Sequence, residues 1–277
     1  MKKLIINADD FGYTPGVSLG IIEAHNKGIV TSTTALAVSP HFMEAMEQAR
    51  LLAPRLAIGV HLALTLRHFK PILPADKVPS LVNECGEFKT TKELIASGAN
   101  FAEVEMEWEA QILRFLESGF TPTHFDSHHN SHYFAKELLD IALKLAKKYN
   151  VPLRNCEEPV QFPFARLKSF TGQSIPDVSL IDYYGTTPTT DFLFGNFYGE
   201  EVSFETIEKN FEEMVASDGE IFEMNCHPAF IDPLLTKVTS YLDYRTSELE
   251  ILCDERLKNW LREKNILLTT FKAIQPK

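Results

Sequence analysis

Leu4-Ile5-Ile6-Asn7-Ala8-Asp9-Asp10-Phe11-Gly12 is the stretch on which the reading of this chain turns. The spacing predicts a buried strand from Lys3 to Ala8 that ends in two adjacent carboxylates. Leaving a desolvated carboxylate unpaired costs on the order of several kcal/mol, so this strand end calls for a compensating cation, which a divalent metal would supply. On an ideal strand, neighbouring side chains point to opposite faces. A turn before Phe11-Gly12 would let both acids face one cavity in different roles, one ligating a metal and the other handling a proton. The plainer alternative is an Asp pair that caps the next helix or forms an Asx-turn.

Outward from this strand, apolar runs of strand length alternate with helical patterns. Thr14-Pro15 reads as an N-cap followed by proline at the first helical position, with Gly28 closing the helix. Further strands are expected at Ile29 to Val38, Leu56 to Leu64, Thr123 to His129, Leu153-Arg154, Ser179 to Tyr184, Glu220 to Asn225 and Ile266 to Thr270. Helices are expected at His41 to Leu52, Phe101 to Glu117, Tyr133 to Tyr149, Phe204 to Ala216 and Thr246 to Lys264. The alternation favours a parallel sheet with crossover helices, read as one domain spanning 1–277. An open doubly wound sheet also fits, but no GxGxxG or Walker-type loop supports a nucleotide site. Acids and histidines gather at the C-terminal ends of several strands, the face on which a (β/α) barrel builds its site. The preferred fold is therefore an irregular α/β barrel of about seven to eight parallel strands. The less regular stretches 67–90 and 157–174 are long enough to cover a substrate.

Three later segments carry histidine at such ends. His61 lies in the almost wholly apolar run Ala57 to Leu64, where it is either a satisfied core residue or a ligand. Gly59 beside it marks close approach of another group. The run His124 to His132 holds His124, His128, His129 and His132. As a strand it would put His124, Asp126 and His128 on one face; if it turns helical near His128, His128 and His132 would align. The HExxH pattern is absent, and a surface metal-scavenging patch is the alternative. His227, held out of the helical region by Pro228, sits at a strand exit and could ligate or act as an acid. Two imidazoles and a carboxylate with open positions are the donor set of a catalytic metal site.

Bulk properties narrow the field further. The chain has 277 residues, 44% of them hydrophobic and 23% charged, as in an ordinary globular protein. A formal net charge of −11 argues against nucleic-acid and anionic-membrane partners. The cysteines Cys85, Cys156, Cys226 and Cys253 form no CxxC pair. With no signal-peptide pattern and no run near the roughly 18 to 20 apolar residues of a membrane span, a cytoplasmic location is expected. A homodimer is allowed for.

Together these segments closely resemble the YdjC-like family of carbohydrate deacetylases, whose best-known members are chitin disaccharide deacetylases. The likeness covers Ile6 to Gly12, Gly28 to Leu36, Leu56 to Gly59 with His61, Pro122 to His124 with Asp126 to His129, Phe197-Tyr198-Gly199-Glu200-Glu201, and Cys226 to Asp232. It implies an irregular (β/α) barrel that removes an N-acetyl group from an amino sugar. Carried over position by position, it makes Asp10, His61 and His128 the metal ligands, Asp9 the general base and His227 the acid. Arg154 would orient Asp9 or bind substrate. One divalent ion is implied: the donor set suits zinc, cobalt, manganese or iron, and the resemblance adds magnesium. Where similar proteins often read His-His-His, this chain reads His128-His129-Asn130. Two other functions fit the same residues: a metal hydrolase acting on another amide or ester bond, and a catalytically silent sugar-binding protein.

Overall fold

The computed structural model of the chain describes residues 1–155 and 180–274. Strand β1 (Lys2–Phe11) is buried from Leu4 to its end, because parallel neighbours flank it on both sides. In chain order there follow α1 (Pro15–Lys27), β2 (Ser32–Ala35), α2 (Phe42–Leu52), β3 (Ala57–Leu62), α3 (Thr91–Ser97) and α4 (Phe101–Glu117). Then come β4 (Phe125–Ser127), α5 (Lys136–Tyr149), α6 (Leu180–Tyr184), β5 (Phe192–Phe194), α7 (Phe204–Ala216) and β6 (Ile221–Cys226). Helices α8 (Leu235–Val238), α9 (Asp243–Leu252) and α10 (Glu255–Glu263) precede β7 (Ile266–Leu268).

The seven strands among the described residues all pair in parallel, in the order β4-β3-β2-β1-β6-β5, with β7 also on β1. The sheet curls into a half-barrel under its crossover helices, as the alternation predicts. Between β4 and β5, Leu153 bridges to Phe125 and donates its N–H to the Pro188 carbonyl at 3.0 Å. The short strand expected at Leu153-Arg154 is thus a single bridge, and it delivers Arg154 to the interior. One core joins Ile6 and Ala8 of β1 to Phe42, Trp108, Phe115, Leu138 and Phe211 on the helices.

Helix α1 begins as expected, with the Thr14 side chain accepting from the Val17 N–H and proline in the first turn. Its Gly20 lies so close to the segment after β6 that a Cβ there would sit 2.5 Å from the Ala229 Cα. This contact seats the loop that carries His227 against α1.

Two expectations need correction. Ser179 to Tyr184 is not a strand: Leu180–Tyr184 is a short helix, with Ser179 outside the described residues. Its Tyr184 hydroxyl caps the Arg154 carbonyl at 2.6 Å, a tertiary contact that local pattern cannot express. The sheet takes Phe192–Phe194 instead. The helix expected from Thr246 to Lys264 is two helices, because the Asp254 side chain accepts from the Arg256 N–H and starts α10 afresh. The stretch 157–174 lies outside the described residues. No described helix is long and apolar enough to cross a membrane.

Candidate active site

Asp9 and Asp10 do turn into one cavity, and the backbone shows how. The β1–β2 register shifts between Ala8 and Phe11, and Asp10 adopts a left-handed φ of 74°. Such an irregularity re-aims side chains that strict alternation would separate. Left-handed backbone costs a non-glycine residue about 1–2 kcal/mol, least for Asp and Asn, whose short polar side chains bond locally.

The Asp10 carboxylate divides its oxygens. Oδ2 accepts from Arg245 Nη2 at 2.6 Å. Oδ1 faces two imidazoles, His128 Nδ1 at 3.0 Å and His61 Nε2 at 3.5 Å. Each of these three residues offers a ligand atom within 4.8 Å of the others, so they could hold a metal ion. Asp9, His61 and Asp126 form a second such group, all three of them buried.

Burial alone would raise the Asp10 carboxyl, but the charges of Arg245 and His128 hold it well below the usual carboxylate range. His61 is oriented from behind. Its Nδ1 lies 2.7 Å from Asp126 Oδ1, and Thr34 donates to the other Asp126 oxygen at 2.9 Å. This pairing orients the ring so that Nε2 faces Asp10, and it is the carboxylate–histidine arrangement that supports metal-ligating imidazoles. Burial opposes a charge on His61, yet Asp126, Asp10 and Asp9 together push it up to about 10.

Asp9 points toward Arg154, which has no exposed surface. Arg154 donates from Nη1 and Nη2 to the two Asp9 oxygens, each at 2.7 Å, and from Nε to Glu223 at 2.7 Å. Its Nη2 also lies 2.9 Å from Asp126. Despite burial, which acts in the opposite direction, Arg154 holds the Asp9 carboxyl well below its ordinary value. Of the two roles expected for Arg154, this geometry matches orientation of Asp9; the side chain does not line the cavity.

Across from Asp9, His227 Nε2 is 4.0 Å from Asp9 Oδ2. Burial pushes His227 down to about 4, against the pull of Asp9 and Asp10. Its backbone N–H donates to buried Glu248, whose carboxyl burial raises to about 8. The cavity in front of these groups encloses about 430 Å³.

The histidine run turns after Ser127, and His128 begins a 3-10 turn in which His129 and Asn130 are both left-handed. Of His124, Asp126 and His128, only His128 lines the cavity. His124 stacks on Phe271 at 3.5 Å, and a Cβ on Gly59 would lie 2.5 Å from its carbonyl oxygen. Gly59 therefore makes room for His124. His132 is buried at Ser127 Oγ. His129, which lines the cavity, faces Thr65 Oγ1 at 2.9 Å.

Sequence reasoning gave Arg245 and Glu248 no role. They lie three apart on α9, a helix with no motif on it. Asp126 stands out in the sequence through alternating strand register and the family likeness, with nothing to join it to His61.

Comparison with known proteins agrees with this architecture. The family model described as YdjC-like protein matches residues 3–263. A carbohydrate deacetylase of Enterococcus faecalis is 48% identical over 273 residues, covering 99% of this chain and 98% of the relative. A carbohydrate deacetylase of Halalkalibacterium halodurans is 39% identical over 256 residues, covering 90% and 94%. A solved structure from Enterococcus faecalis V583, of a protein proposed to cleave cellobiose phosphate, matches with a TM-score of 0.88, 48% identity and 98% coverage of each chain. The Xyl-CE4 domain of a xylanase from the hindgut metagenome of Trinervitermes trinervoides shares the fold at a TM-score of 0.51 and 9% identity, covering 99% of this chain and 89% of that domain.

Proposed function

The chain belongs to the YdjC-like family, and from that premise we propose that it removes the N-acetyl group of an amino sugar or short chitooligosaccharide with one divalent metal ion. The observation that carries this reading is the convergence of Asp10, His61 and His128 beside Asp9 and His227 in one cavity. The donor set fits a metal. Two imidazoles and one carboxylate leave open positions, and the buried acids around the site, Asp9, Asp10, Asp126, Glu223 and Glu248, outnumber the buried arginines Arg154 and Arg245. Zinc or magnesium would be held by Asp10, His61 and His128, supplying a Lewis acid for the acetamide carbonyl and a lowered pKa for water.

The chain's own residues handle the protons. Asp9, fixed by both its oxygens on Arg154, takes a proton from the attacking water. Its depressed pKa makes it a poor place for that proton to stay, and His227 Nε2 at 4.0 Å is the neighbouring base. His227 starts neutral, accepts the proton and delivers it to the departing nitrogen, leaving acetate and a free amine. The test is acetate release from N,N′-diacetylchitobiose with Asp9→Asn alongside the parent. Loss of the base should lower kcat by about 100-fold or more while bound metal stays unchanged. Near-full activity of Asp9→Asn would sink the assignment.

One observation favours a second reading of the substrate, a sugar that carries a phosphate. A neighbouring cavity of about 560 Å³ shares Tyr13 and Val238 with the first. His41, His68, Lys70, Arg114 and Lys237 line it, with no acid among its lining residues. The Enterococcus faecalis protein of matching structure is proposed to act on a phosphorylated disaccharide. A KM at least tenfold lower for the phosphorylated form of the same disaccharide would favour this reading; equal KM values would exclude it.

A further inference from the structure

Tyr198, in the segment Phe197-Tyr198-Gly199, takes no part in the proton transfers above, yet it lines the catalytic cavity. The Tyr198 ring stacks on Tyr241 with centroids 4.3 Å apart and planes only 6° from parallel. Tyr244 and the Arg245 guanidinium approach the Tyr241 ring at 5.5 Å each. Tyr198, by contrast, is 52% exposed and lines the cavity.

This ring is fixed in place, unlike an ordinary surface aromatic. Phe197 anchors it in the core. The Gly199 N–H, at a left-handed φ of 62°, donates to the Tyr241 hydroxyl at 3.0 Å. That hydroxyl donates in turn to Glu248 at 2.6 Å, and Glu248 also accepts the backbone N–H of His227. One buried carboxylate therefore sets the stack and the acid relative to each other. The His227 imidazole stands beside the pair, 5.4 Å from Tyr198 and 6.1 Å from Tyr241, at 74° and 78° to their planes.

We infer that Tyr198, backed by Tyr241, is the platform for the pyranose ring whose nitrogen is released. A pyranose presents an apolar face of C–H bonds and a polar rim of hydroxyls, which suits an aromatic surface at the edge of a polar pocket. A ring laid on Tyr198 sits next to His227, so its nitrogen substituent reaches the acid while the acetyl group extends toward Asp10, His61 and His128. This rests on the deacetylase reading and adds a specificity determinant to it: the enzyme selects a ring carrying an equatorial N-acetyl group over an acyclic N-acetyl amine.

The test uses N,N′-diacetylchitobiose in two independent measurements on the full-length parent, Tyr198→Ala and Tyr198→Phe. In kinetics, Tyr198→Ala should lower kcat/KM at least tenfold, mainly through KM, and Tyr198→Phe should restore most of the loss because the ring, not the hydroxyl, makes the platform. In ligand-observed NMR, the parent and Tyr198→Phe should shift the sugar's axial C–H resonances upfield by ring current, and Tyr198→Ala should abolish the shift. An unchanged KM in Tyr198→Ala, equal damage by both variants, or no upfield shift with the parent would overturn the inference. If the parent releases no acetate, the deacetylase reading fails, while the NMR measurement still decides the platform.

Discussion

Arg154→Met would leave Asp9, Asp126 and Glu223 facing one another in the interior with their shared cation gone. In the native chain the guanidinium reaches both Asp9 oxygens and Glu223 at 2.7 Å and Asp126 at 2.9 Å, with no exposed surface. Removing one partner of a buried ion pair costs about 3–5 kcal/mol. At about 2–4 °C per kcal/mol, the melting temperature should fall by about 6 to 20 °C. The pH dependence has a definite sign. In the parent, Asp9 has a folded pKa below its unfolded one, so its contribution is present above the unfolded value and lost as pH falls. In the variant, the carboxyls are left with burial and mutual repulsion, and Glu223 is already pushed up to about 7 by burial in the parent. Their folded pKa values then exceed the unfolded ones, the folded state binds extra protons, and stability falls as pH rises. The gap between parent and variant should be widest near pH 8 and narrow by pH 5. Urea denaturation and calorimetry at both pH values measure it. A loss under about 1 kcal/mol at pH 8, or a gap that widens toward acid, would refute the account of Arg154 as the counter-charge of this cluster.

Two other perturbations probe the supports of the site. Asp126→Asn removes the carboxylate behind His61 Nδ1, and zinc or manganese affinity by calorimetry should drop about 10- to 100-fold; unchanged affinity would mean that His61 needs no such partner. Buried Glu107 on α4 accepts the backbone N–H groups of Ile72 and Leu73 at 2.9 and 3.0 Å, so Glu107→Ala should cost about 2–3 kcal/mol and speed amide exchange at those two residues first. Exchange that accelerates uniformly instead would show that the contact does not pin this stretch.

The legible part of the molecule was the part written in strands. Asp9, Asp10, His61 and His227 were recognisable because each follows an apolar run, and a parallel half-barrel brings such run ends together. The groups behind them were hidden for a physical reason. Arg245 and Glu248 reach the site from a helix whose local sequence is that of any half-buried helix, so only tertiary packing reveals their use. The His124 to His132 run shows the same limit from the other side. Density of histidine suggested shared chemistry, yet His124 packs on Phe271, His132 is tied to Ser127, and His128 is the ligand candidate. The separation depends on left-handed backbone at His129 and Asn130, which no periodicity encodes. Leu180–Tyr184 misled because Leu-Ile-Asp-Tyr-Tyr has strand composition but is too short for either period to decide.

The left-handed backbone at Asp10 also limits how this site can change. Few residue types accept that conformation without strain, and only Asp among them brings an anionic oxygen donor on a short arm. Exchanging the carboxylate for a β-branched or bulky residue would fight the main chain before any question of ligand chemistry arose. Efforts to soften the donor set toward sulfur therefore have their freedom at positions 61 and 128, while position 10 is held by the geometry of the strand end.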